Sequence, residues 1–393
     1  MCPNMCFGMV ICIDKEFDEG RIADTVNALA KSHPFIKALI SHDDIDNRYY
    51  YDVTDFSQTE IAIYSENISG IDAPDVMEEF DRITARDFDL FKEGMLKLSA
   101  WPSDSNTIAL LVFHHLLADG RGALEFAKEF AAYYVTGKEP SFATERLISS
   151  TSDLPAGSDL PFISKMLVNR ANRQWRKEKI RLSYEEYHRF ADDFIKRDTV
   201  IHELSALSKE KMTEIAAKCK DNGVTVNDYL LADFFFKENT NRIVIAADIR
   251  DALKCYNQGA LGNYSTAFSV ELKKRSDDLF AVAKQVHAAV RKISGNPSAL
   301  YLVLQCYAAL EPGLLDAAMI ASRSEFKSKA AKYIGKLFFH LDKAEGYSIT
   351  NLGKTESSVI SDACFIPPAS PAMKKTMGVL TLNGKMRICV SRR

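Results

Sequence analysis

A run of apolar residues from Ile108 to Phe113 ends in two adjacent histidines, and this feature constrains the chain most strongly. Such a short continuous apolar run predicts a buried strand. His114 and His115 stand at its end, followed by Asp119, Gly120 and a helical pattern. Polar residues at the end of a buried strand are well placed for a functional site, because the scaffold is rigid and the strand end opens to a cleft.

The rest of the first half alternates between strand and helix patterns. Amphipathic spacing predicts helices over 19–33 and 120–137, the second ending at Gly137. A polar turn from Ser103 to Asn106 joins the last two strands as a pair. Strands are predicted over 7–14, 35–41, 48–53, 59–66, 94–102 and 107–115.

The second half repeats this mixture after a segment of different character. Residues 138–200 hold a turn-rich stretch, a basic run and an acidic aromatic run, which indicates a connection between two lobes. Ser208 and Thr225 are suitable N-caps, the latter with Asp228 completing a capping box. Helices are predicted over 207–223, 225–236 and 279–293, and strands over 241–250, 264–272, 346–353, 377–384 and 385–391.

These patterns predict a mixed α/β (α+β) protein built as two-layer sandwiches. We expect an N-terminal lobe over 1–145, a connecting segment over 146–200 and a C-terminal lobe over 201–393.

Composition and charge limit the classes of binding partner and the cellular location that we expect. A formal net charge of -3 gives no reason to expect nucleic acid as a partner. No apolar run approaches the roughly 20 residues of a membrane span, and the apolar N-terminus lacks a basic leader, so we expect a cytoplasmic protein. The eight cysteines are scattered, as expected of reduced buried thiols. Cys2 and Cys6 lack a second ligand pair at metal-binding spacing, so no metal is expected.

Several interpretations of the histidine motif compete. Adjacent histidines on a strand point to opposite faces, so both cannot easily bind one metal ion. They can also be two structural histidines at a strand end. A neutral imidazole can instead act as a general base toward an alcohol or amine. The chain has no G-x-S-x-G sequence, which argues against a serine hydrolase.

The pattern His-His-x-x-x-Asp-Gly resembles the signature of one superfamily. Its members include chloramphenicol acetyltransferase, the condensation domains of peptide synthetases, plant acyltransferases, alcohol acetyltransferases and the mycobacterial polyketide-associated acyltransferases. Further segments resemble family landmarks in the expected order over nearly the whole chain: FDLFKEGMLKLSAW, DNGVTVNDYLLADF, ADIRDAL, LGNY and ITNLGKTE. The resemblance implies two chloramphenicol acetyltransferase-like lobes that form a pseudo-dimer, with a tunnel at their interface for the donor thioester and the acceptor.

The resemblance also implies roles for the motif residues. His115 would be the general base in mid-tunnel, and His114 a packing residue. Asp119 would face away from substrate and pair with Arg250 of the second lobe. The alternative for Arg250 is an exposed surface charge. Gly120 would let the backbone approach substrate closely.

The group that holds the oxyanion stays open between several residues. Ser348, Thr350 and Asn351 of the YSITNLG segment are tunnel candidates, together with Gly353. The plant enzymes carry Asp-Phe-Gly-Trp-Gly near this point. This chain has Asn351, Leu352 and Gly353 instead, which favours a structural role for Asn351.

Two surface and core features complete the predictions. A basic run is a solvated helix face or a contact for the phosphates of coenzyme A or the acidic face of a carrier protein. It contains Arg170, Arg173, Arg176, Lys177, Lys179 and Arg181. The aromatic residues Phe234, Phe235 and Phe236 are expected in the core.

Three functional hypotheses follow. The first is an acyltransferase that moves an acyl group from acyl-CoA to a hydroxyl or amine of a small-molecule acceptor, as a monomer without a permanently bound cofactor. The second is a stand-alone condensation enzyme whose donor is a phosphopantetheine thioester on a separate carrier protein. The third is a non-catalytic binding member of the fold.

Overall fold

A computed structural model describes residues 5–43, 45, 48–180, 182–197, 199–321, 326–339 and 346–393. Cys2, considered above as a metal ligand, and Arg181 of the basic run lie outside these residues. The strands are β1 Cys6–Ile13, β2 Ala38–Asp43, β3 Arg48–Val53, β4 Glu60–Ile63, β5 Leu96–Ser103, β6 Asn106–His114, β7 Ile201–Leu207, β8 Arg242–Asp248, β9 Ser265–Glu271, β10 Gly346–Thr355, β11 Ile360–Ile366, β12 Met373–Leu382 and β13 Lys385–Arg392.

The α-helices lie between these strands, with short 3₁₀ turns at Pro34–Lys37, Thr151–Asp153 and Arg250–Ala252. They are α1 Glu19–Ser32, α2 Pro74–Thr84, α3 Gly120–Thr136, α4 Phe162–Glu178, α5 Tyr184–Arg197, α6 Lys209–Asp221, α7 Val226–Lys237, α8 Leu279–Ser294, α9 Pro297–Leu300, α10 Leu302–Ala309, α11 Leu314–Ala321 and α12 Lys329–Phe339.

Two sheets organise the molecule, and the predicted mixed α/β class is confirmed. The first sheet has the order β11-β1-β6-β5-β4, and the second has the order β7-β13-β12-β10-β8-β9. A separate hairpin joins β2 to β3. Each large sheet has its own hydrophobic core, which explains why the sequence reads as two similar halves.

One strand crosses from the second half of the chain into the first sheet. β11 pairs antiparallel with β1, where Val10 lies opposite Cys364. All eight residues of β1 are buried, and β11 pairs with backbone N–H and C=O groups of β1 that would otherwise lack partners at this edge. The predicted boundaries of the lobes stay a prediction, but residues 360–366 complete the first sheet although they lie in the second half of the sequence.

Patterns of neighbouring residues correctly predicted several features of the helices and the core. Thr225 and Asp228 form the predicted capping box at the start of α7. Gly137 ends α3 with a positive φ of 73°, which glycine adopts without a steric penalty. Phe234 and Phe235 lie in the core of the second lobe, and Phe236 packs against it.

One prediction needed correction. The strand expected from residue 35 begins only at Ala38, because Pro34 starts a 3₁₀ turn that occupies the positions before it. The connecting segment holds two long helices, α4 and α5. Trp175 of α4 packs with α11 and α12 in a helical cluster, so burial against distant residues orders this segment.

No helix among the described residues has both the length and the hydropathy to cross a membrane alone. Leu302–Ala309 and Leu314–Ala321 reach that threshold only when taken together, and a bend of 108° separates them.

A buried ion cluster attaches the start of the connecting segment to the first lobe. His33 Nε2 lies 2.6 Å from Glu129 of α3, and Nδ1 lies 3.0 Å from Glu145. The other oxygen of Glu145 accepts a hydrogen bond from the Phe35 amide at 2.7 Å. Burial opposes protonation, but the hydrogen bonds that the imidazolium donates to the two glutamate carboxylates outweigh it and raise the pKa of His33 to about 9.

This cluster predicts a pH-dependent stability. The pKa of His33 is higher in the folded protein, so its stabilisation is complete below about pH 6.5 and is lost as pH rises toward 9. We expect about 3 kcal/mol of unfolding free energy to disappear across this window. Urea unfolding of the wild type and of His33→Gln between pH 6 and 9.5 tests this expectation. Parallel pH profiles for the two proteins would contradict it.

Candidate active site

The predicted motif forms the turn between β6 and α3. β6 ends at His114, and Asp119 caps α3 by accepting a hydrogen bond from the Gly122 amide at 2.7 Å. The backbone amide of Asp119 donates to the carbonyl of Gly262 at 3.1 Å. The turn that carries His115 is therefore held at both ends, by the strand and by a segment from the second half of the chain.

Asp119 accepts hydrogen bonds from three parts of the chain. One carboxylate oxygen accepts from Gly122 and from Arg250 Nη2 at 2.6 Å. The other oxygen accepts from the Tyr264 amide at 2.7 Å. These donors occupy both oxygens, and the described contacts include no hydrogen bond from Asp119 to His115. The geometry therefore gives no support to a His-Asp catalytic dyad.

Arg250 is buried with its partners. Its Nε donates to Asp248 at 2.7 Å, and its guanidinium lies 5.6 Å from the ring centre of Tyr256 and 5.9 Å from that of Tyr264. Only 8% of the residue is exposed, so the alternative of an exposed surface charge is wrong. The neighbouring carboxylates of Asp119 and Asp248 raise the pKa of Arg250 against the effect of burial, so it stays charged.

His115 sits at a partly exposed position beside the rigid turn. Its ring meets the buried Phe7 ring edge-on, with centres 5.2 Å apart. Asn263 Nδ2 lies 3.0 Å from His115 Nδ1 and donates to the His115 carbonyl at 3.1 Å. The Asn263 oxygen accepts from the Ser265 hydroxyl at 2.9 Å, which fixes the orientation of the amide.

Both motif histidines are neutral near physiological pH, for the same main reason. Burial lowers the pKa of His114 to about 3, and the neighbouring His115 adds to this effect. Burial also lowers the pKa of His115, although Asp119 and the carbonyl of His115 itself oppose the change. His114 is 4% exposed and faces the Phe88 ring, as a packing residue would.

The position of Gly120 differs from the expected one. A Cβ atom there would lie 2.8 Å from the Leu352 side chain and 3.3 Å from the Phe365 ring. The close approach is therefore to strands β10 and β11. The carbonyl of Leu352 also accepts a hydrogen bond from Arg121 at 3.2 Å, so the start of α3 packs directly against β10.

The candidate oxyanion residues on β10 have structural partners. The Ser348 hydroxyl donates to Thr376 at 2.9 Å, and the Asn351 amide donates to Asn227 at 3.0 Å. Gly353 has a φ of 80° and donates its amide to the Asn351 oxygen at 2.9 Å. Thr350 is half-buried on the same strand. The side chains of Ser348 and Asn351 thus help to hold the second lobe together.

Sequence reasoning missed two residues of this site. Asn263 orients the His115 turn, and Tyr264 donates its amide to Asp119 while its hydroxyl donates to the Arg146 carbonyl at 2.7 Å. The LGNY segment was recognised only as a landmark. Its spacing from Arg250 carried no sign that it folds back onto the histidine motif.

Within the described ranges, no group of three His, Cys, Asp or Glu side chains is placed to hold a metal ion. All seven cysteines that the structure describes are buried free thiols. His115 lines neither the cavity beside α2 nor the groove on α4, and the tunnel therefore stays a prediction.

Comparison with known proteins identifies the same family as the motif. Residues 6–149 match the condensation-domain family model. The first condensation domain of the calcium-dependent antibiotic synthetase, in complex with a substrate analogue, has a TM-score of 0.60 at 12% identity, covering 100% of this chain and 86% of that one. No curated protein matches the chain.

Two further solved structures share the whole fold. Polyketide synthase associated protein 5 from Mycobacterium tuberculosis has a TM-score of 0.54 at 15% identity, covering 99% of this chain and 88% of that chain. VibH, an NRPS condensation enzyme, has a TM-score of 0.54 at 11% identity, covering 99% and 85%. At these identities the similarity shows the fold, which is the chloramphenicol acetyltransferase-like pseudo-dimer. Residues 6–149 thus match the condensation-domain family by sequence, and the whole chain shares the fold of condensation-domain and chloramphenicol acetyltransferase-like proteins.

Proposed function

We propose that this protein is an acyltransferase that moves an acyl group from a thioester to a hydroxyl or amine, with His115 as the general base. The observation that carries the proposal is the neutral, partly exposed imidazole on a turn held by both halves of the chain. Imidazole Nε2 would take the proton of the attacking group and return it to the leaving thiolate. The acyl carbon forms a bond to oxygen or nitrogen and loses its bond to sulfur.

The tautomer of His115 decides whether Nε2 can act as a base. If Nδ1 accepted the Asn263 amide proton, Nε2 would carry hydrogen and could only donate. The Asn263 amide nitrogen, 3.0 Å from Nδ1, can only donate, and Ser265 holds the amide in this orientation, so the contact as described places hydrogen on Nε2. For Nε2 to act as the base, Nδ1 would carry the hydrogen, and the Asn263 amide would donate to the His115 carbonyl alone.

The Asp119–Arg250 pair supports the same proposal as a positioning element. Asp119 caps the helix that follows the catalytic turn, and Arg250 and Tyr264 come from the second half of the chain. This set would keep His115 at a fixed place between the lobes, with donor and acceptor entering a tunnel from opposite sides. Enclosure of this kind limits hydrolysis of the thioester.

The remaining parts of the proposal concern substrates and setting. Acyl-CoA would be the donor and a small molecule the acceptor, with the oxyanion held by a β10 group or by backbone amides. The thioester would be a co-substrate and no cofactor would stay bound. We propose a monomer in the cytoplasm, where the buried thiols stay reduced.

A carrier-protein thioester is the second candidate donor, and one surface favours it. The exposed side of α4 forms a groove of 490 Å³, lined by Phe162, Lys165, Met166, Asn169, Arg173 and Arg176. Phe162 is 82% exposed and Met166 is 53% exposed. They line the same groove as the basic side chains of Lys165, Arg173 and Arg176. An acidic amphipathic helix would match both the apolar end and the basic end of this groove.

The first prediction tests the base. His115→Ala should lower the turnover of a verified acyl-CoA and acceptor pair by about 10²–10⁴-fold, because general-base catalysis is lost. Free thiol release from a panel of acyl-CoAs with mixed alcohols and amines measures this. His42→Ala on the separate β2–β3 hairpin controls for the loss of an imidazole. A wild-type rate in His115→Ala would show that another group acts as the base.

The pH profile of kcat/KM provides an independent reading of the same residue. The pKa of His115 is lowered by burial, so the active neutral form persists below the ordinary histidine pKa of about 6.5. We expect activity to stay level from pH 8 to below 6.5 and to fall only at more acidic pH. An acidic limb centred above 6.5 would show that another group controls the reaction.

A double-mutant cycle tests the Asp119–Arg250 pair. Asp119→Ala and Arg250→Ala should each cost about 3–5 kcal/mol, because each leaves a buried charge without its partner. The coupling between them should be about 0.5–3 kcal/mol by urea unfolding. The Asp89–Lys92 pair, at 2.8 Å with an exposed lysine, is the control and should show little or no coupling, because water and salt screen it. Additive effects for Asp119 and Arg250 would refute the role as a positioning pair.

Charge reversal on α4 separates the two donors. Lys165→Glu with Arg173→Glu should lower kcat/KM for an acylated carrier protein by about tenfold or more, and the loss should shrink at high salt. The rate with acyl-CoA should not change. Lys211→Glu with Lys218→Glu on α6 makes the same charge change elsewhere as a control. Equal rates for the α4 variant and wild type with acylated carrier would exclude this docking surface.

A further inference from the structure

A strongly basic surface lies on the cluster formed by α4, α11 and α12. Together α4 and α12 contain eight Lys and Arg residues and a single carboxylate, although the whole chain has a formal net charge of -3. That carboxylate, Glu178, faces the start of α12, where it accepts from the Ser328 hydroxyl at 2.6 Å and from the Ala330 amide at 3.1 Å. Positive charge is therefore concentrated at this part of the surface, and acidic residues of the same helices do not balance it.

Helical spacing places three of these cations and two apolar residues on one side of α4. Residues three or four positions apart share a helix face. The face, called the α4 stripe below, consists of Ile163, Met166, Arg170, Arg173 and Lys177, all exposed. The opposite side of the helix, with Val168, Ala171 and Trp175, is buried. The α4 stripe is thus a continuous exposed face that begins apolar and continues basic.

The neighbouring helix α12 widens this surface. The Arg170 guanidinium lies 5.7 Å from the centre of the Tyr333 ring, so the α4 stripe meets α12 there. Lys329 lies four positions before Tyr333 on the same face of α12, and both Lys329 and the adjacent Lys332 are exposed. The ion pairs of the described residues include Arg176–Glu311 at 2.9 Å but none that involves a cation of the α4 stripe. The charge of this surface is therefore free to attract an anionic partner.

The first turn of α4 gives the surface an apolar end. Ile163 is 67% exposed, and its neighbours Phe162 and Met166 are also mostly exposed. Large apolar side chains exposed as a group mark an interaction surface. Nucleic acid would match the cations through its phosphates but would leave these side chains in water. A basic helix face with exposed apolar residues is instead typical of helices that lie at the surface of a lipid bilayer.

We propose that the α4 stripe and the lysines of α12 bind the anionic surface of a phospholipid bilayer, with Phe162, Ile163 and Met166 between the headgroups and the acyl chains. The cations would lie at the level of the anionic headgroups, which attract Lys and Arg within about a Debye length of the surface. The α4 stripe shares Met166 and Arg173 with the groove considered above for a carrier protein, but Ile163, Arg170 and Lys177 do not line that groove. The proposal does not depend on the activity of His115.

Sedimentation of the full chain with lipid vesicles tests the proposal. Vesicles with about one third phosphatidylserine in phosphatidylcholine should bind at least about tenfold more tightly than phosphatidylcholine alone, and raising NaCl from about 0.1 M to 0.5 M should remove most of this difference. Arg170→Glu with Lys177→Glu should weaken binding by about tenfold or more, because attraction becomes repulsion. Lys284→Glu with Arg291→Glu makes the same charge change at exposed positions of α8 and should bind like wild type.

Ile163→Asn distinguishes insertion into the bilayer from a purely electrostatic contact. It should weaken binding by about threefold or more, because an apolar side chain is lost from the interface. Ile201→Asn at the exposed start of β7 is the control and should bind like wild type.

Four results with vesicles would each overturn the proposal: no binding to phosphatidylserine vesicles, equal binding to phosphatidylcholine alone, undiminished binding of the α4 charge variant, or undiminished binding of Ile163→Asn. A single-stranded oligonucleotide in the same buffer provides the remaining comparison. If it bound more tightly than the vesicles and Ile163→Asn left its binding unchanged, the surface would be a nucleic-acid site instead.

Discussion

The buried contact between Asp119 and Arg250 is the interaction on which the arrangement of the two halves depends. Two opposite charges removed from water stabilise a structure only when their geometry is good and their other hydrogen-bonding groups are satisfied. Both conditions hold here, since Asp119 also accepts from two backbone amides and Arg250 also donates to Asp248. A small displacement of either half would leave a charge without a partner. The contact therefore selects one relative position of the two halves.

The same contact defines the electrostatics around His115. Arg250, Gly122 and Tyr264 satisfy the Asp119 carboxylate, so it does not compete for the imidazole by hydrogen bonding. Burial then lowers the pKa of the ring, and the Asn263 amide nitrogen contacts both Nδ1 and the carbonyl of His115. The aspartate of the motif thus acts on the shape of the turn, and the histidine remains available for chemistry.

Sequence predicted those parts of the fold that depend on near neighbours. The turn at Ser103–Asn106, the capping box at Thr225 and the helix end at Gly137 need only a few adjacent residues. β11 was missed, because its place at the edge of β1 is decided by pairing with residues about 350 positions away. The helices α11 and α12 were missed for a similar reason, since both are buried against Trp175 of α4 and its neighbours.

The residues of the candidate site fall into the same two groups, those that are close in sequence and those that only the tertiary structure brings together. His115, Asp119 and Gly120 lie within one short segment, and the resemblance to a known motif pointed to Arg250. The roles of Asn263 and Tyr264 were not predicted. Their hydrogen-bond partners, the His115 carbonyl and the Asp119 carboxylate, are distant in sequence and are brought close only by the tertiary structure. A packing reason for a glycine at position 120 could not be predicted, since Leu352 and Phe365, which fill the space that a side chain would need, are distant in sequence.

The late position of β11 in the sequence has a consequence for synthesis on the ribosome. When residues 1–145 have emerged, β1 has β6 on one side and nothing on the other, although all of its residues are apolar or small and are buried in the finished protein. An uncovered apolar edge is a template for pairing with other chains. The first lobe therefore waits for more than two hundred further residues, and at about 5–20 residues per second this takes roughly 10–40 seconds. Throughout that interval the nascent chain is a substrate for chaperones that bind exposed apolar strands.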